Sequence, residues 1–212
     1  MKGMFITFEG PEGAGKTTQI QRVYQYLKDL GFSCLIVREP GGTKIGDRVR
    51  EILLDPGRSE MKWKTEVLLY ASSRAQLVSE VIRPRLDEGS VVLCDRYIDS
   101  SLAYQGYGSE KDVEEVKKIN QWATDGLMPD RTYLLDIPVE VGRKRLLSRG
   151  GKKDRMELKE KMFHERVRTG FKQIAFEEKN RFCIIRAEQS GDQVFQEIIT
   201  DLQKWIKNGS FR

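Results

Sequence analysis

Residues 5–19 read FITFEGPEGAGKTTQ, and this stretch indicates the architecture of the chain. Its first part is a short apolar run of β-branched and aromatic residues, which is typical of a buried strand. The pattern G-x-x-x-x-G-K-[ST] follows from Gly10 to Thr17 and leads into a predicted helix. A glycine-rich loop in this position turns its backbone N–H groups inward at a helix N-terminus and forms an anion site. The stretch therefore predicts a phosphate-binding loop.

This loop is expected to bind the phosphates of ATP together with Mg²⁺. Lys16 in such a loop reaches the β- and γ-phosphates, and the hydroxyl of Thr17 binds the metal ion. A chance match in a glycine-rich turn is the alternative, but the strand before it and the helix after it disfavour that alternative. The expected nucleotide-binding residues are Gly10, Pro11, Glu12, Gly13, Ala14, Gly15, Lys16, Thr17 and Thr18.

Short apolar runs alternate with longer amphipathic segments along the whole chain. Strands are predicted over 5–10, 33–39, 91–95, 132–136 and 181–186. Helices are predicted over 16–30, about 45–54, about 63–88, 112–125, 139–148, about 157–179 and 191–207. Strands separated by helices favour right-handed βαβ crossovers and a parallel sheet covered on both faces. We predict one α/β domain over residues 1–212, a P-loop NTPase fold with a five-stranded parallel sheet.

The composition narrows the classes of function. The 37 basic and 32 acidic residues are interspersed, and a few phosphate-binding cations explain the net charge of +5 as well as a nucleic-acid surface would. No apolar run approaches the roughly 20 residues that cross a bilayer, and no signal-peptide core is present at the N-terminus. Three distant cysteines, Cys34, Cys94 and Cys183, fit buried thiols in a reducing compartment. A cytoplasmic protein without a membrane or nucleic-acid partner is expected.

A phosphate-binding loop identifies a nucleotide but not a reaction. A GTPase-like switch, an ATPase acting on a protein or DNA partner, and a small-molecule kinase are the three classes to separate. The GTPase patterns D-x-x-G and N/T-K-x-D do not occur in the sequence. A kinase requires a second site, for the acceptor, beside the first.

The residues after the third predicted strand fit such a second site. Asp95 ends this strand and Arg96 follows it. Ligands of open α/β sheets bind at the carboxyl ends of the strands, so Asp95 is expected beside the loop, holding Mg²⁺ or orienting the nucleotide. Arg96 offers a bidentate contact to a phosphate. Asp136 ends the fourth strand, but Ile137 and Pro138 follow it, and we interpret Asp136 as a helix-initiating residue.

Segments over nearly the whole chain resemble the thymidylate (dTMP) kinase family of the bacterial kind. They are FEGPEGAGKTTQ (8–19), REPGGT (38–43), LLYASSRAQLV (68–78), DRYIDSSLAYQGYG (95–108), GLMPDRTYLLD (126–136), SRGGKKDRME (148–157) and FHERVRTGF (163–171). The resemblance implies transfer of the γ-phosphoryl group of ATP to dTMP, and a homodimer formed through helices that flank the acceptor pocket. Another nucleoside monophosphate as acceptor is the alternative within this class.

The resemblance also implies roles at the acceptor site. Tyr70 stacks on thymine, Arg74 binds a ring carbonyl, Ser101 and Gln105 read the thymine edge, and Tyr104 excludes a 2′-hydroxyl. Glu12 faces the 3′-hydroxyl, Glu39 lies in a loop that closes over the acceptor, and Arg96, Arg50 and Arg38 hold the phosphate. Without the resemblance, simpler interpretations remain open. Glu12 would face solvent, and Arg50 would form a surface ion pair with Glu51. Tyr70 would be a core residue and Arg74 a surface residue.

One cation needed for phosphoryl transfer is missing from the phosphate-binding loop. The reaction requires cations around the transferring group, and some thymidylate kinases carry an arginine where this chain has Gly13. The stretch SRGGKKDR (148–155) lies between two predicted helices and contains no aromatic residue among its cations, which disfavours a nucleic-acid patch. The resemblance implies a small lid here, over about 148–157.

Within this lid, Arg155 and then Arg149 are predicted to be catalytic, with Lys152 or Lys153 as auxiliaries. The predicted catalytic set is Lys16, Arg155, Arg149, Arg96, Asp95 and Glu12. His164, the only histidine, is expected to be structural or to lie near the nucleotide. Adenine contacts are expected around 186–189.

Overall fold

A computed structural model describes residues 3–150 and 154–207 of the chain. Its centre is a five-stranded parallel sheet in the order β2-β3-β1-β4-β5. The strands are β1 (Met4–Glu9), β2 (Cys34–Arg38), β3 (Val91–Asp95), β4 (Arg131–Asp136) and β5 (Phe182–Arg186). Phe8 of β1 and Arg38 of β2 both pair with Asp95 of β3, so the carboxyl ends of these three strands meet at one edge. The predicted fold class is confirmed.

The helices follow the strands in the expected alternation. They are α1 (Lys16–Asp29), α2 (Lys44–Leu54), α3 (Trp63–Leu77), α4 (Arg83–Asp87), α5 (Ile98–Ser101), α6 (Val113–Ala123), α7 (Val139–Arg149), α8 (Lys161–Glu177) and α9 (Gly191–Lys207). A π-helical segment, Val78–Ile82, joins α3 to α4, and another, Leu102–Gly108, continues α5. Each of these helices is too short or too polar to cross a lipid bilayer, as far as the described residues extend.

Alternation along β1 divides the core between the two faces of the sheet. Met4, Ile6 and Phe8 pack into a cluster with residues of α1 and α9, whereas Phe5 belongs to a second cluster with residues of α3 and α8. Successive strand side chains point to opposite faces. Since β1 is central and flanked by β3 and β4, the loop after β1 lies where the chain order of the sheet reverses, which is where open α/β sheets bind ligands.

Two predictions about local structure differ from the fold. Residues 98–108, for which no helix is predicted, are helical and pack mainly against α8. Asp136 does not initiate α7, because the residue before that helix is Pro138, without a side-chain cap. Instead Asp136 accepts two hydrogen bonds from Arg168 of α8, over 2.6 and 2.9 Å. An ion pair with a distant helix therefore replaces the expected local capping contact.

Candidate active site

A cavity of about 1000 Å³ opens at the carboxyl ends of β1, β2 and β3. Its walls come from the phosphate-binding loop, the loop after β2, α3, the Leu102–Gly108 segment and α7. The predicted residues that line it are Glu12, Gly13, Gly15, Lys16, Thr17, Thr18, Arg38, Glu39, Arg50, Tyr70, Arg74, Asp95, Arg96, Ser101, Tyr104 and Gln105. The fold thus brings segments that are distant in sequence around one space.

Lys16 lies at the base of the loop with its ammonium group buried. Its Nζ donates to the carbonyls of Gly10 and Pro11 over 3.1 and 3.0 Å. Burial and the nearby Arg96 lower the pKa of Lys16 to about 8, although Glu12 and Asp95 oppose this effect. An anionic phosphate beside Lys16 would favour its charged form.

Gly13 is fixed by a contact that leaves no room for a side chain. Its φ is +74°, and a Cβ there would lie 2.4 Å from the carbonyl oxygen of Gly142. A Cβ on Gly142 would in turn meet the carbonyl oxygen of Glu12 at 2.3 Å. The loop and α7 therefore pack backbone against backbone, and an arginine at position 13 is incompatible with this packing.

Thr17 and Asp95 lie together at the mouth of the cavity. The Thr17 hydroxyl donates to Asp95 Oδ2 over 2.9 Å. An octahedral Mg²⁺ with ligands at about 2.1 Å places neighbouring oxygens about 3 Å apart. The two oxygens therefore fit adjacent positions around such an ion, with remaining positions for phosphate and water.

Glu12 is half-buried, with 25% of its side chain exposed, and it forms an ion pair with Arg96. Arg96 Nη2 donates to Glu12 Oε1 over 2.7 Å, and the Tyr104 hydroxyl donates to the same oxygen over 2.9 Å. Burial alone would raise the pKa of Glu12, but Arg96 and Lys16 outweigh it and hold that pKa at about 2. Glu12 is thus ionised at neutral pH and lines the cavity as a hydrogen-bond acceptor.

Arg96 has an unusual backbone conformation for a residue with a side chain. Its φ is +70°, in the left-handed region, which costs of order 1–3 kcal/mol for a non-glycine residue and is found mainly at functional sites. Besides the contact to Glu12, its guanidinium donates to the carbonyl of Gly10 and to Ser100 Oγ. Arg96 therefore connects the end of β3 to the phosphate-binding loop.

Arg74 is 1% exposed, and its guanidinium uses four of its five N–H groups within the protein. Nη2 contacts Glu39 at 2.5 Å and donates to the carbonyl of Tyr97. Nη1 donates to Ser101 Oγ over 2.9 Å and to Asn120 Oδ1. Nε has no hydrogen-bond partner among the described residues. One donor of Arg74 therefore remains for a ligand in the cavity that Arg74 lines.

Hydrogen bonds hold the loop after β2 beside the ion pair of Glu39 and Arg74. Gly41 N donates to Ser73 Oγ, and Arg50 Nη1 donates to the carbonyl of Pro40 over 2.8 Å. Arg50 lines the cavity, whereas its neighbour Glu51 pairs with Arg48 on the surface. The interpretation of Arg50 as the surface partner of Glu51 is wrong.

Arg155 is not where the lid hypothesis places it. Its guanidinium is buried, with Nη1 2.5 Å from Glu66 Oε2 and Nε donating to the carbonyl of Leu53. It does not line the cavity that contains the phosphate-binding loop. The expectation that Arg155 lies over the ATP phosphates is wrong for this conformation, in which α2 and α3 hold the Arg155 side chain.

The other predicted lid cations are Arg149, Lys152 and Lys153. Lys152 and Lys153 lie outside the described residues, and Arg149 ends α7 with its side chain also outside them. Four residues earlier on the same helix, Arg145 lines the cavity, although the sequence interpretation did not include it. His164 is buried on α8, with its ring against Phe163, and burial lowers its pKa.

Sequence reasoning missed two buried residues that do not line the cavity but hold residues beside it. Glu9, at the end of β1, is fully buried and accepts from Tyr97 N and Ser100 Oγ. Burial, together with Asp99, raises the pKa of Glu9 to about 8. Asn120 of α6 holds Arg74. A glutamate ending an apolar strand was a signal for Glu9, but nothing local in the sequence singles out Asn120.

Comparisons with known proteins agree with this geometry. Residues 8–198 match the family model described as thymidylate kinase. A thymidylate kinase of Halothermothrix orenii is 50% identical over 200 residues, which cover 93% of this chain and 95% of the relative. One of Exiguobacterium sibiricum is 47% identical over 207 residues, which cover 98% and 97%. The crystal structure of thymidylate kinase from Ehrlichia chaffeensis superimposes with a TM-score of 0.78 at 32% identity, covering 96% of this chain and 99% of that one.

Proposed function

Because the chain belongs to the thymidylate kinase family and transfers the γ-phosphoryl group of ATP to dTMP, we propose how its cavity divides between the two nucleotides. ATP binds with its phosphates on the loop from Gly10 to Thr18. The nucleoside of dTMP binds between α3 and the Leu102–Gly108 segment. The observation that carries this division is that Arg74, whose buried Nε has no hydrogen-bond partner among the described residues, lines the same cavity as the phosphate-binding loop.

The thymine ring is recognised by Tyr70, Arg74, Ser101 and Gln105. Tyr70 lies on α3, four residues before Arg74, so both side chains project to the same side of the helix. The Nε of Arg74 donates to a ring carbonyl, since its other N–H groups hold Glu39, Tyr97, Ser101 and Asn120. Glu39 thereby orients Arg74 from the loop after β2.

The sugar and phosphate of dTMP lie against Glu12, Tyr104 and Arg96. The ionised carboxylate of Glu12 accepts from the 3′-hydroxyl, and the ring of Tyr104 occupies the space that a 2′-hydroxyl would need. Arg96 and Arg50, with Arg38 at the rim, neutralise the phosphate. A phosphate that binds Arg96 competes with Glu12 for its guanidinium, which frees Glu12 for the sugar.

Phosphoryl transfer is assisted mainly by charge around the reacting group. Lys16 contacts the β- and γ-phosphates, and Thr17 and Asp95 hold Mg²⁺, which neutralises charge on the phosphate oxygens. The loop lacks an arginine at Gly13, so a lid over about 148–157 supplies the remaining cation. Arg149 is the first candidate, because Arg155 reaches the phosphates only after separating from Glu66.

The active unit is a homodimer of one-domain chains, formed through α3 and α6. These helices border an apolar groove of about 530 Å³. Leu68 and Trp122 in this groove are 57% and 84% exposed, which is unusual for large apolar side chains on a monomer. Because α3 also carries Tyr70 and Arg74, the dimer contact would stabilise the acceptor site.

We place the protein in the cytoplasm, where its free cysteines stay reduced.

A coupled assay of ADP release tests this assignment with ATP and each of dTMP, dUMP, dGMP, dCMP and UMP. ATP turnover is expected to require an acceptor and to be fastest with dTMP. Equal kcat/KM for dTMP, dCMP and dGMP would overturn the base-binding residues named above. A rate of ADP release that no acceptor changes would indicate a P-loop ATPase instead.

A further inference from the structure

The carboxylate of Glu66 is the centre of a buried polar cluster beside the acceptor site. Gln105 Nε2 donates to Glu66 Oε1 over 2.8 Å, and Arg155 Nη1 donates to Oε2 over 2.5 Å. Glu66 is 6% exposed and lies one helical turn before Tyr70 on α3. Three separate parts of the chain therefore meet at this carboxylate.

This cluster fixes which end of the Gln105 amide faces the cavity. A carboxylate paired with arginine has only acceptor atoms, so the amide must turn its NH₂ group toward Glu66. Its carbonyl Oε1 consequently points away from Glu66. Gln105 lines the cavity, and within residues 3–150 and 154–207 no hydrogen bond is donated to its Oε1.

The backbone of Gln105 is also held in place. Trp63 Nε1 donates to its main-chain carbonyl over 2.8 Å. Arg155 is held in turn, because its Nε donates to the carbonyl of Leu53 and its backbone N–H donates to the carbonyl of Leu54. Rotation of the Gln105 amide would bring its oxygen against the Glu66 carboxylate, which is unfavourable for two buried acceptors.

The fixed side-chain carbonyl of Gln105 distinguishes a thymine ring from a cytosine ring. Thymine presents an N3–H donor between two carbonyl acceptors, whereas cytosine presents a bare N3 acceptor and an amino donor at C4. The Nε donor of Arg74 and the Oε1 acceptor of Gln105 match the thymine pattern. With cytosine, Gln105 Oε1 would face the bare N3 acceptor, and a donor directed at the C4 carbonyl of thymine would face an amino group instead.

We propose that Glu66 is a specificity-determining positioning residue, which selects an N3–H pyrimidine by holding the Gln105 carbonyl toward the base. Arg155 supports this role by pairing with Glu66. The inference rests on the proposed dTMP site and adds to it a residue that does not touch the substrate. It also gives Arg155 a function in acceptor selection.

The test compares dTMP with 5-methyl-dCMP, which keeps the methyl group and changes only the hydrogen-bonding edge of the ring. In the unaltered enzyme, kcat/KM for dTMP is expected to exceed that for 5-methyl-dCMP by at least about a hundredfold. In Glu66→Gln the ratio is expected to fall about tenfold or more, because an amide can donate to or accept from Gln105, which can then present either end. Since both substrates are measured on one preparation, loss of folded enzyme cancels in the ratio.

A second variant distinguishes a loss of specificity from a folding defect of Glu66→Gln. Glu66→Gln leaves Arg155 buried without a counter-charge, so the double variant Glu66→Gln/Arg155→Met removes both charges and is expected to show the same reduced ratio. Glu88→Gln, at the exposed residue directly after α4, is the matched control and should keep the original ratio. An unchanged ratio in folded Glu66 variants would overturn the role of Glu66. A parent enzyme that does not prefer dTMP to 5-methyl-dCMP would instead overturn the proposed base site, and the inference with it.

Discussion

Glu39 Oε2 lies 2.5 Å from Arg74 Nη2, and both side chains are almost completely buried. Burial raises the pKa of Glu39 to about 7, although Arg74 opposes this rise. The pair joins the loop after β2 to α3 and orients the Nε donor of Arg74, which has no partner in the part of the chain that the structure describes. A buried ion pair of this kind contributes little net stability, but removing one partner is costly. Its geometry therefore matters more for recognition than for folding energy.

Arg74→Lys is expected to raise KM for dTMP about 10- to 100-fold while KM for ATP stays within about twofold. A lysine ammonium has three donors at one point and cannot satisfy the four partners of Arg74 while leaving a donor for thymine. Steady-state kinetics with each substrate varied checks this prediction. Arg85→Lys, an exposed ion-pair residue, is the matched control. Equal increases in both KM values would contradict a specific thymine contact.

Glu9→Gln is expected to flatten the pH dependence of stability. Burial raises the pKa of Glu9 from about 4.5 to about 8, so between these values the folded protein keeps a proton that the unfolded chain releases. The free energy of unfolding of the parent protein therefore falls as pH rises from about 5 to 8. Urea denaturation across this range should show a smaller fall for Glu9→Gln than for the parent. Parallel curves would mean that Glu9 does not titrate in this window.

Arg155→Ala is expected to lower the free energy of unfolding by about 3–5 kcal/mol, because it leaves Glu66 buried without its partner. Denaturant unfolding measures this loss, and kinetics should show a raised KM for dTMP. Arg58→Ala, which removes an exposed arginine paired with Asp55, should change stability by at most about 1 kcal/mol. Unchanged stability with kcat lowered about 10²- to 10⁴-fold would instead support Arg155 as the lid cation over ATP.

Asp95→Asn is expected to raise the Mg²⁺ concentration for half-maximal activity about tenfold or more, with little effect on KM for dTMP. The reason is the loss of the carboxylate that lies 2.9 Å from the Thr17 hydroxyl. A magnesium titration at saturating ATP and dTMP measures it, and Asp87→Asn on α4 is an exposed control. A Mg²⁺ requirement identical to that of the parent enzyme would remove Asp95 from the metal site.

Trp122→Glu is expected to convert a dimer into a monomer, because it places a charge in the apolar groove between α3 and α6. Light scattering after size-exclusion chromatography reports the mass directly. Phe176→Glu, at another exposed aromatic position on α8, should leave the mass unchanged. A parent protein that is already monomeric, or a variant that stays dimeric, would show that this face is not the contact.

Local patterns were sufficient for most of the fold. The strand before Gly10, the loop to Thr17 and the helix after it follow from apolar runs and glycine spacing, which act over short distances along the chain. The segment 98–108 escaped prediction because its glycines and serines give weak helix propensity, and packing against α8 compensates for this.

The sequence by itself determined the alternation of five strands with helices and the phosphate-binding loop, and its resemblance to a family indicated the residues on the acceptor side. Only the tertiary structure decided which partner each charged side chain takes. Arg155 pairs with Glu66, 89 positions away, and Arg74 with Asn120, 46 positions away. Neither pairing has a local signature, because it depends on how separate helices pack over the sheet. A buried arginine binds whichever acceptors the packing of the fold brings close to it. The sequence around the arginine shows only the residues next to it in the chain.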